Sequence, residues 1–475
     1  MHPHDPIQRS VYLPLSTLDK CAICQKTQGL HLCSSCNERI YCSPNCQKAD
    51  WTNHKLHCGK TEKIDLATFY PFLAGLSEQS HLNPNKPNPP ALAHKILNSP
   101  NPYCPITPST YLSLPPSKYS RDNASKFLLL GPEIHPILGG GAEWWPTADS
   151  DKVRSKLMRR IVRSGYALPI LTAICISILA EIYTTTSGKT LSCSCPNPNA
   201  DKEGKEGGIR KRLRYRSSPI ADFGIAIGSA SVTSQDRLTY KFSKDNTILP
   251  GQDPTEHYWI YFSTIRGEEV HLDTFMFTHN MCLMVATSPY MPPGSMAVLP
   301  EYVPAAFEDR LHRKLTPDLR KERTRFSVLR DEGLHEAVRN SLEGFYDSDV
   351  TKIESFMSKI LSHPATSPTG TPRTLTPTES NLCLSLATQN CDCFPWAIAY
   401  PHNRWKKWPD SERIRMGIEQ DPGELDYLDE DSEDWNRYMK RAIKKAKGRT
   451  FSRDELGELY KEWREKKELE TGREL

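Results

Sequence analysis

Apolar residues fall in separated blocks along this chain, and the blocks differ in period. The densest covers 166–179 and is nearly uncharged, with Arg159, Arg160 and Arg163 before it and Glu181 closing it. It is shorter than the ~20 residues a membrane span requires, and Pro169 sits inside it, so a buried core helix is expected. Residues 64–75 form a second, shorter apolar segment, and 127–130 and 134–138 raise the apolar density again. Between 220 and 285 the runs are short and rich in β-branched and aromatic residues. Residues 238–242, 258–264 and 275–285 read as strands, with a turn at Arg266-Gly267. From 305 to 361 the pattern turns helical, and Val350, Ile353, Met357 and Ile360 fall on one face. Near the C-terminus Ser452 and Glu455 make a capping box. The stripe Leu456, Leu459, Tyr460 and Trp463 that follows predicts a charged amphipathic helix packed on its own protein.

Polar segments separate these blocks. The 38 prolines exceed the roughly 24 expected at an average content near 5%, and they cluster, so they mark linkers. The expected fold class is α+β, with a small N-terminal module, a larger mixed domain and a helical C-terminus. The module covers 21–58, a Pro/Asn/Ser-rich linker 81–125 and a mixed α+β domain of unknown function 126–361. A Ser/Thr/Pro linker at 363–380 and a C-terminal region at 381–475 complete the division. Gly139, Gly140 and Gly141 fit no phosphate-binding pattern, because no Lys-Ser/Thr pair follows, and read as a turn.

A net charge of +4 on 475 residues is too small to imply nucleic-acid binding by the whole molecule. Residues 209–216 concentrate Arg210, Lys211, Arg212, Arg214 and Arg216. A solvated loop is the preferred reading there, and a nucleic-acid or nuclear-localisation patch the alternative. Residues 1–15 show no basic region followed by an apolar core, so no secretory signal is read. An intracellular protein is expected, nucleus slightly ahead of cytoplasm, and clustered cysteines are then metal ligands rather than disulfides.

The strongest chemical signal lies between Cys21 and Cys58. It reads Cys-x2-Cys-x8-Cys-x2-Cys-x5-Cys-x3-Cys-x7-His-x3-Cys, eight ligands in 38 residues, enough for two tetrahedral zinc sites. Each Cys-x2-Cys pair can grip an ion from a tight turn. Cys42 with Cys46, and His54 with Cys58, are spaced i,i+4, which puts both ligands on one helix face. Ser43-Pro44 suits a helix start, and Asp50 suits the cap of a second short helix over 51–57. Spacing alone leaves open which pairs share an ion. With eight protein ligands neither ion keeps a position for water, and closed sites are structural rather than catalytic.

This segment resembles a MYND-type zinc finger at all eight ligand positions. The likeness extends to Tyr41 before Cys42, the run from Cys46 through Gln47 to Trp51, and His54-Lys55. The resemblance implies an interleaved pairing: Cys21, Cys24, Cys42 and Cys46 on one ion, Cys33, Cys36, His54 and Cys58 on the other. It also implies a groove for short proline-containing peptides of protein partners, lined by Gln47 and Trp51, and so a non-enzymatic adaptor or regulatory scaffold in transcription. The competing expectation for Trp51 is that it packs the module's own core. Lys20, Lys26, Arg39, Lys48 and Lys55 lie near enough in sequence to offset the thiolate charge, while His31 and His57 are not needed as ligands.

A SET-type methyltransferase is disfavoured, since only 20 residues precede the cluster and the Asn-His-Ser-Cys signature is missing. No other catalytic constellation stands out; the alternatives are an enzyme with its site in 126–400, or nucleic-acid binding through 209–216. Cys193 and Cys195 could meet Cys391 and Cys393 as a third zinc site, but buried free cysteines are the default. Ser367, Thr371 and Thr376 each precede proline and are candidate phosphorylation positions. No membrane partner is expected.

Overall fold

The computed structural model describes residues 9–13, 19–56, 58–97, 126–135, 138–148, 151–184, 211–232, 236–291, 299–309, 319–340, 345–366, 372–398, 404–417 and 428–446. It also describes positions 451, 455, 458, 459, 462, 463 and 466. The fold is α+β.

In the N-terminal module, strands β1 (His31–Leu32) and β2 (Ile40–Tyr41) pair antiparallel ahead of helix α1 (Pro44–His54). Ser43 caps α1 through its hydroxyl oxygen, which accepts from the Cys46 amide at 3.3 Å. Pro44 takes the first turn, where no amide proton is needed. The expected second helix over 51–57 does not form separately, because α1 continues unbroken to His54. Asp50 is held by tertiary partners: it accepts from the Tyr41 hydroxyl at 2.8 Å and from Arg39 Nε at 2.9 Å. That buried carboxylate ties α1 to β2.

The body begins with β3 (Glu62–Asp65) and α2 (Leu66–His81). The apolar segment read at 64–75 is therefore a strand end plus a helix that outlasts it. Next come β4 (His94–Ile96), β5 (Lys126–Glu133), α3 (Asp151–Val162) and α4 (Ala167–Ile182). All residues of α4 are buried, as its all-round apolar sequence requires. No single described helix is long and apolar enough to cross a membrane, and α3 with α4 reach that length only as a pair bent by 71°.

The run at 211–216 is not a loop. Lys211–Tyr215 is strand β6, parallel to β3, with Lys211 and Arg212 buried. Arg212 donates to the Ile182 and Tyr12 carbonyls, while Arg214 and Arg216 pair with Asp65 and Asp309. Positive charge here serves internal partners. Arg210 lies outside the described residues.

Strand β7 (Ser218–Ala230) is the hub of the central sheet. It is followed by β8 (Leu238–Phe242), β9 (Ile248–Pro250), β10 (His257–Thr264) and β11 (Glu269–Asp273). The expected strands at 238–242 and 258–264 are present, and Gly267 turns the chain between β10 and β11 at φ +76°. The expected strand at 275–285 is divided. A 3-10 turn (Met276–His279) ends at Asn280 with φ +64°, and only Cys282–Ala286 forms a strand, β12.

Strand β13 (Tyr302–Pro304) precedes the stretch read as helical from 305, and that stretch opens with two more strands, β14 (Ala306–Asp309) and β15 (Arg320–Ser327). Strand β15 carries charges that pair across the sheet, so it shows no apolar alternation to read. Helices α5 (Glu332–Ala337), α6 (Asp347–Ser362) and α7 (Pro377–Ile398) follow, then β16 (Ile414–Gly417) and α8 (Leu428–Lys445). On α6, Ile353, Met357 and Ile360 are buried as expected and Val350 is half-buried. Thr376 caps α7 and exchanges bonds with Glu379 as a capping box, so Thr376-Pro377 is a helix start. Ser367 and Thr371 lie outside the described residues, as do Ser452, Leu456 and Tyr460.

The central sheet runs β14-β11-β10-β7-β6-β3, with β15 on β7. Gly224 and Gly228 let β15 approach, since a Cβ at either would lie 2.0 Å from a β15 carbonyl. One face, through Phe223, Ile225, Ile227, Ile260 and Phe262, joins α2, α4, α6 and α7 in one core. That core extends across the expected 380/381 division through Leu382, Leu386 and Phe394. The opposite face carries Trp259 and Tyr261 among charged side chains.

The module is mounted on an edge of this sheet. Leu30, Leu32 and Ile40 pack on Ala221 and Ile265. Lys63 on β3 donates to the Cys36 carbonyl at 2.9 Å, and Thr61 donates to Glu38 at 3.3 Å.

Candidate metal centre

The two Cys-x2-Cys segments fold into the same turn. In the first, the Gln25 amide donates to the Cys21 carbonyl at 3.1 Å and the Cys21 amide to Lys26 at 2.8 Å. In the second, Asn37 donates to Cys33 and Cys33 to Arg39, both at 2.8 Å. The residue after each pair, Gln25 or Asn37, adopts left-handed backbone at φ 62° or 56°, which curls the chain so both sulfurs face inward.

Helix α1 and the residues beside it bring up the other ligands. Cys24, Cys42 and Cys46 sulfurs lie 3.2 to 3.7 Å apart. Cys33 and Cys58 sulfurs are 3.8 Å apart, and Cys36 Sγ is 3.4 Å from His54 Nε2. Ligands at ~2.3 Å for sulfur and ~2.0 Å for nitrogen in a tetrahedron stand about 3.5–3.8 Å from one another. Disulfides are far shorter, and these cysteines are unbridged. The ligand atoms of Cys21, Cys24, Cys42 and Cys46 form one group and those of Cys33, Cys36, His54 and Cys58 another, each within 4.8 Å. Hard-cation sites want oxygen donors; thiolate with imidazole in this geometry suits zinc.

Residues 21–58 match the family model for the MYND finger. This segment is a MYND finger. Such fingers are in general protein–protein interaction modules and not catalytic centres. No curated protein and no solved structure matches the chain. The finger's two ligand sets fit two zinc ions in the interleaved pairing, which crosses the module twice and binds both turns to α1.

The local electrostatics prepare thiolates unevenly. Burial acts to raise the Cys21 thiol, but the amides of Cys24, Ile23 and Cys42 outweigh it and bring it down to about 6. Burial also opposes ionisation of Cys33, and the Cys36 and Ser35 amides more than compensate. Cys42 is pushed up to about 12, chiefly by the neighbouring Cys24 thiol, and burial pushes Cys36 higher still. Zinc supplies the positive charge that lets all of a set ionise together, so loading releases protons.

Gln47 and Trp51 stand one turn apart on α1, on the same side. The Gln47 amide reaches Cys33 Sγ at 3.9 Å. Trp51 is 45% exposed, so packing into the finger's core does not account for it. Its ring meets the edge of His54, at a centroid distance of 6.1 Å. Lys20, Lys26, Lys48 and Lys55 are exposed on the finger, and Arg39 is committed to Asp50. His31 is exposed and outside both ligand sets; His57 lies outside the described residues.

In the body, sequence reasoning missed a buried ionic cluster. His257 Nε2 lies 2.7 Å from Asp273 Oδ2, and Arg320 bridges Asp273 and Glu308. Burial opposes ionisation of Asp273, but His257 and Arg320 reverse this and hold its carboxyl well below the usual range. The four residues come from four strands, and only their alternation on β10, β11, β14 and β15 could have signalled it. A cavity of about 360 Å³ opens where α4 and α7 begin. Its charges answer one another, since Arg373 pairs with Glu379 at 2.9 Å and Glu256 at 3.6 Å. Cys391 is buried 3.8 Å from Ser177 between α7 and α4, and burial raises its thiol. Cys193 and Cys195, the alternative metal partners weighed for it and Cys393, lie outside the described residues.

Proposed function

We propose that this protein is a non-enzymatic adaptor or regulatory scaffold that captures proline-containing peptide segments of partner proteins through Gln47 and Trp51. Transcriptional regulation is the setting suggested by analogy with the finger's family. The observation that carries the reading is the exposed indole of Trp51 on a helix clamped by ligands to both zinc sets. An exposed tryptophan offers a flat apolar face for a proline ring and an indole donor for a peptide carbonyl. Rigidity contributes as well, because a surface ordered beforehand loses less entropy on binding. The finger's fixed seat on the central sheet gives the captured segment a defined position relative to the body.

The test is peptide capture by the full zinc-loaded chain. The double variant Gln47→Ala, Trp51→Ala is expected to lose capture while keeping both zinc ions. Undiminished capture by that variant would sink the groove.

A further inference from the structure

Helix α1 and its C-cap residue present Lys48, Trp51 and Lys55 at successive turns, all exposed. Among the described residues neither lysine makes an ion pair. The finger's carboxylates are occupied elsewhere: Asp50 is buried beneath Arg39 and Tyr41, and Glu38 is buried against Thr61. The indole is therefore flanked on both sides by lysines that no carboxylate pairs with among the described residues, and α1 itself carries no acid on that face.

We infer that the Trp51 groove selects acidic proline-containing segments, in which Asp or Glu on both sides of the apolar residue meets Lys48 and Lys55. This rests on the peptide-capture reading above and adds its chemical preference. The register follows from helix geometry. Lys48 and Lys55 are seven residues apart, ~10.5 Å along the axis at 1.5 Å per residue. An extended peptide rising ~3.3 Å per residue covers that in about three residues. The acids therefore sit one or two positions to either side of the residue that covers Trp51. Two lysines around a single apolar platform suit a short acidic peptide better than a nucleic-acid backbone, which calls for a longer run of positive charge.

The experiment is fluorescence anisotropy with the full zinc-loaded chain and two labelled peptides sharing one Pro/Leu core. One carries Asp and Glu flanks and the other Ser flanks. The acidic peptide is expected to bind about two- to thirtyfold tighter, the range for two exposed charge pairs. That advantage shrinks with added salt. It vanishes in Lys48→Gln, Lys55→Gln, whose affinity for the Ser-flanked peptide stays unchanged, with two zinc ions retained as the folding control. Trp51→Ala weakens both peptides.

Equal binding of the two peptides to the unaltered chain, with Trp51→Ala still weakening both, would overturn the acidic preference and leave the groove standing. Indifference of both peptides to Trp51→Ala would overturn the groove itself. Tighter binding of duplex DNA than of the acidic peptide, lost in the lysine variant, would replace the peptide with nucleic acid. Capture that appears only once Asp429, Glu430, Asp431, Glu433 and Asp434 are changed to Asn or Gln would place the occupant within this chain. The DNA result overturns the inference, and the last result overturns capture of a partner's segment in favour of one from this chain.

Discussion

The finger and the body reach order by different means. In the finger the buried apolar set is small: Ile40 against Ala221 of the body, and Tyr41 among the Cys33 and Cys36 thiols. So short a stretch cannot bury enough surface to fold unaided, and its ligands must close the structure. The body needs no such device, since α4 is buried throughout and packs with α2, α6 and α7 on one face of the central sheet. Metal-held order depends on a few irreplaceable residues. Core-held order is spread over many replaceable ones.

The sharpest way to break this contrast is to remove one ligand from the finger. Structural zinc contributes on the order of 10 kcal/mol per site in model peptides. Cys36→Ser is therefore expected to lose the ion of its own set and disorder the part of the finger that ion holds, while the body's far-ultraviolet dichroism persists. Loss of the body's dichroism at the same time would show one cooperative unit. A core truncation should do the reverse. Ile174→Ala, fully buried in α4, is expected to cost about 2–5 kcal/mol of body stability in urea and leave zinc content unchanged.

Acid separates the two regions by a smaller margin. Asp273 has a depressed folded pKa, so its contribution is fully present above its unfolded value of about 3.9 and lost as pH falls through the folded one. The finger must protonate thiolates and an imidazole to lose zinc, which happens at higher pH. Acid titration should thus release zinc first and unfold the body only below about pH 4. Simultaneous loss would contradict separate supports.

The same contrast explains what could be read in advance. Cysteine and histidine at fixed spacing admit few structures, so the ligands and the α1 start at Ser43-Pro44 were legible. The burial of 166–179 was legible from its unbroken apolar character, and 238–242 and 258–264 from their β-branched and aromatic content. Asp50 looked like a cap because Asp suits both roles, and only the fold brings Arg39 and Tyr41 to it. Strand β15 escaped because its charges find partners on β11 and β14, far off in sequence. Arg212 in β6 misled for the same reason, its guanidinium answered by carbonyls of Ile182 and Tyr12.

The account rests on a finger held by two interleaved zinc sites, and native mass spectrometry reads that directly. The unaltered chain should carry two zinc ions. Cys24→Ala and Cys58→Ala, each striking a different ligand set, should each retain one, and the double variant should carry none. Fewer than two ions on the unaltered chain, or two retained after either single substitution, would contradict it.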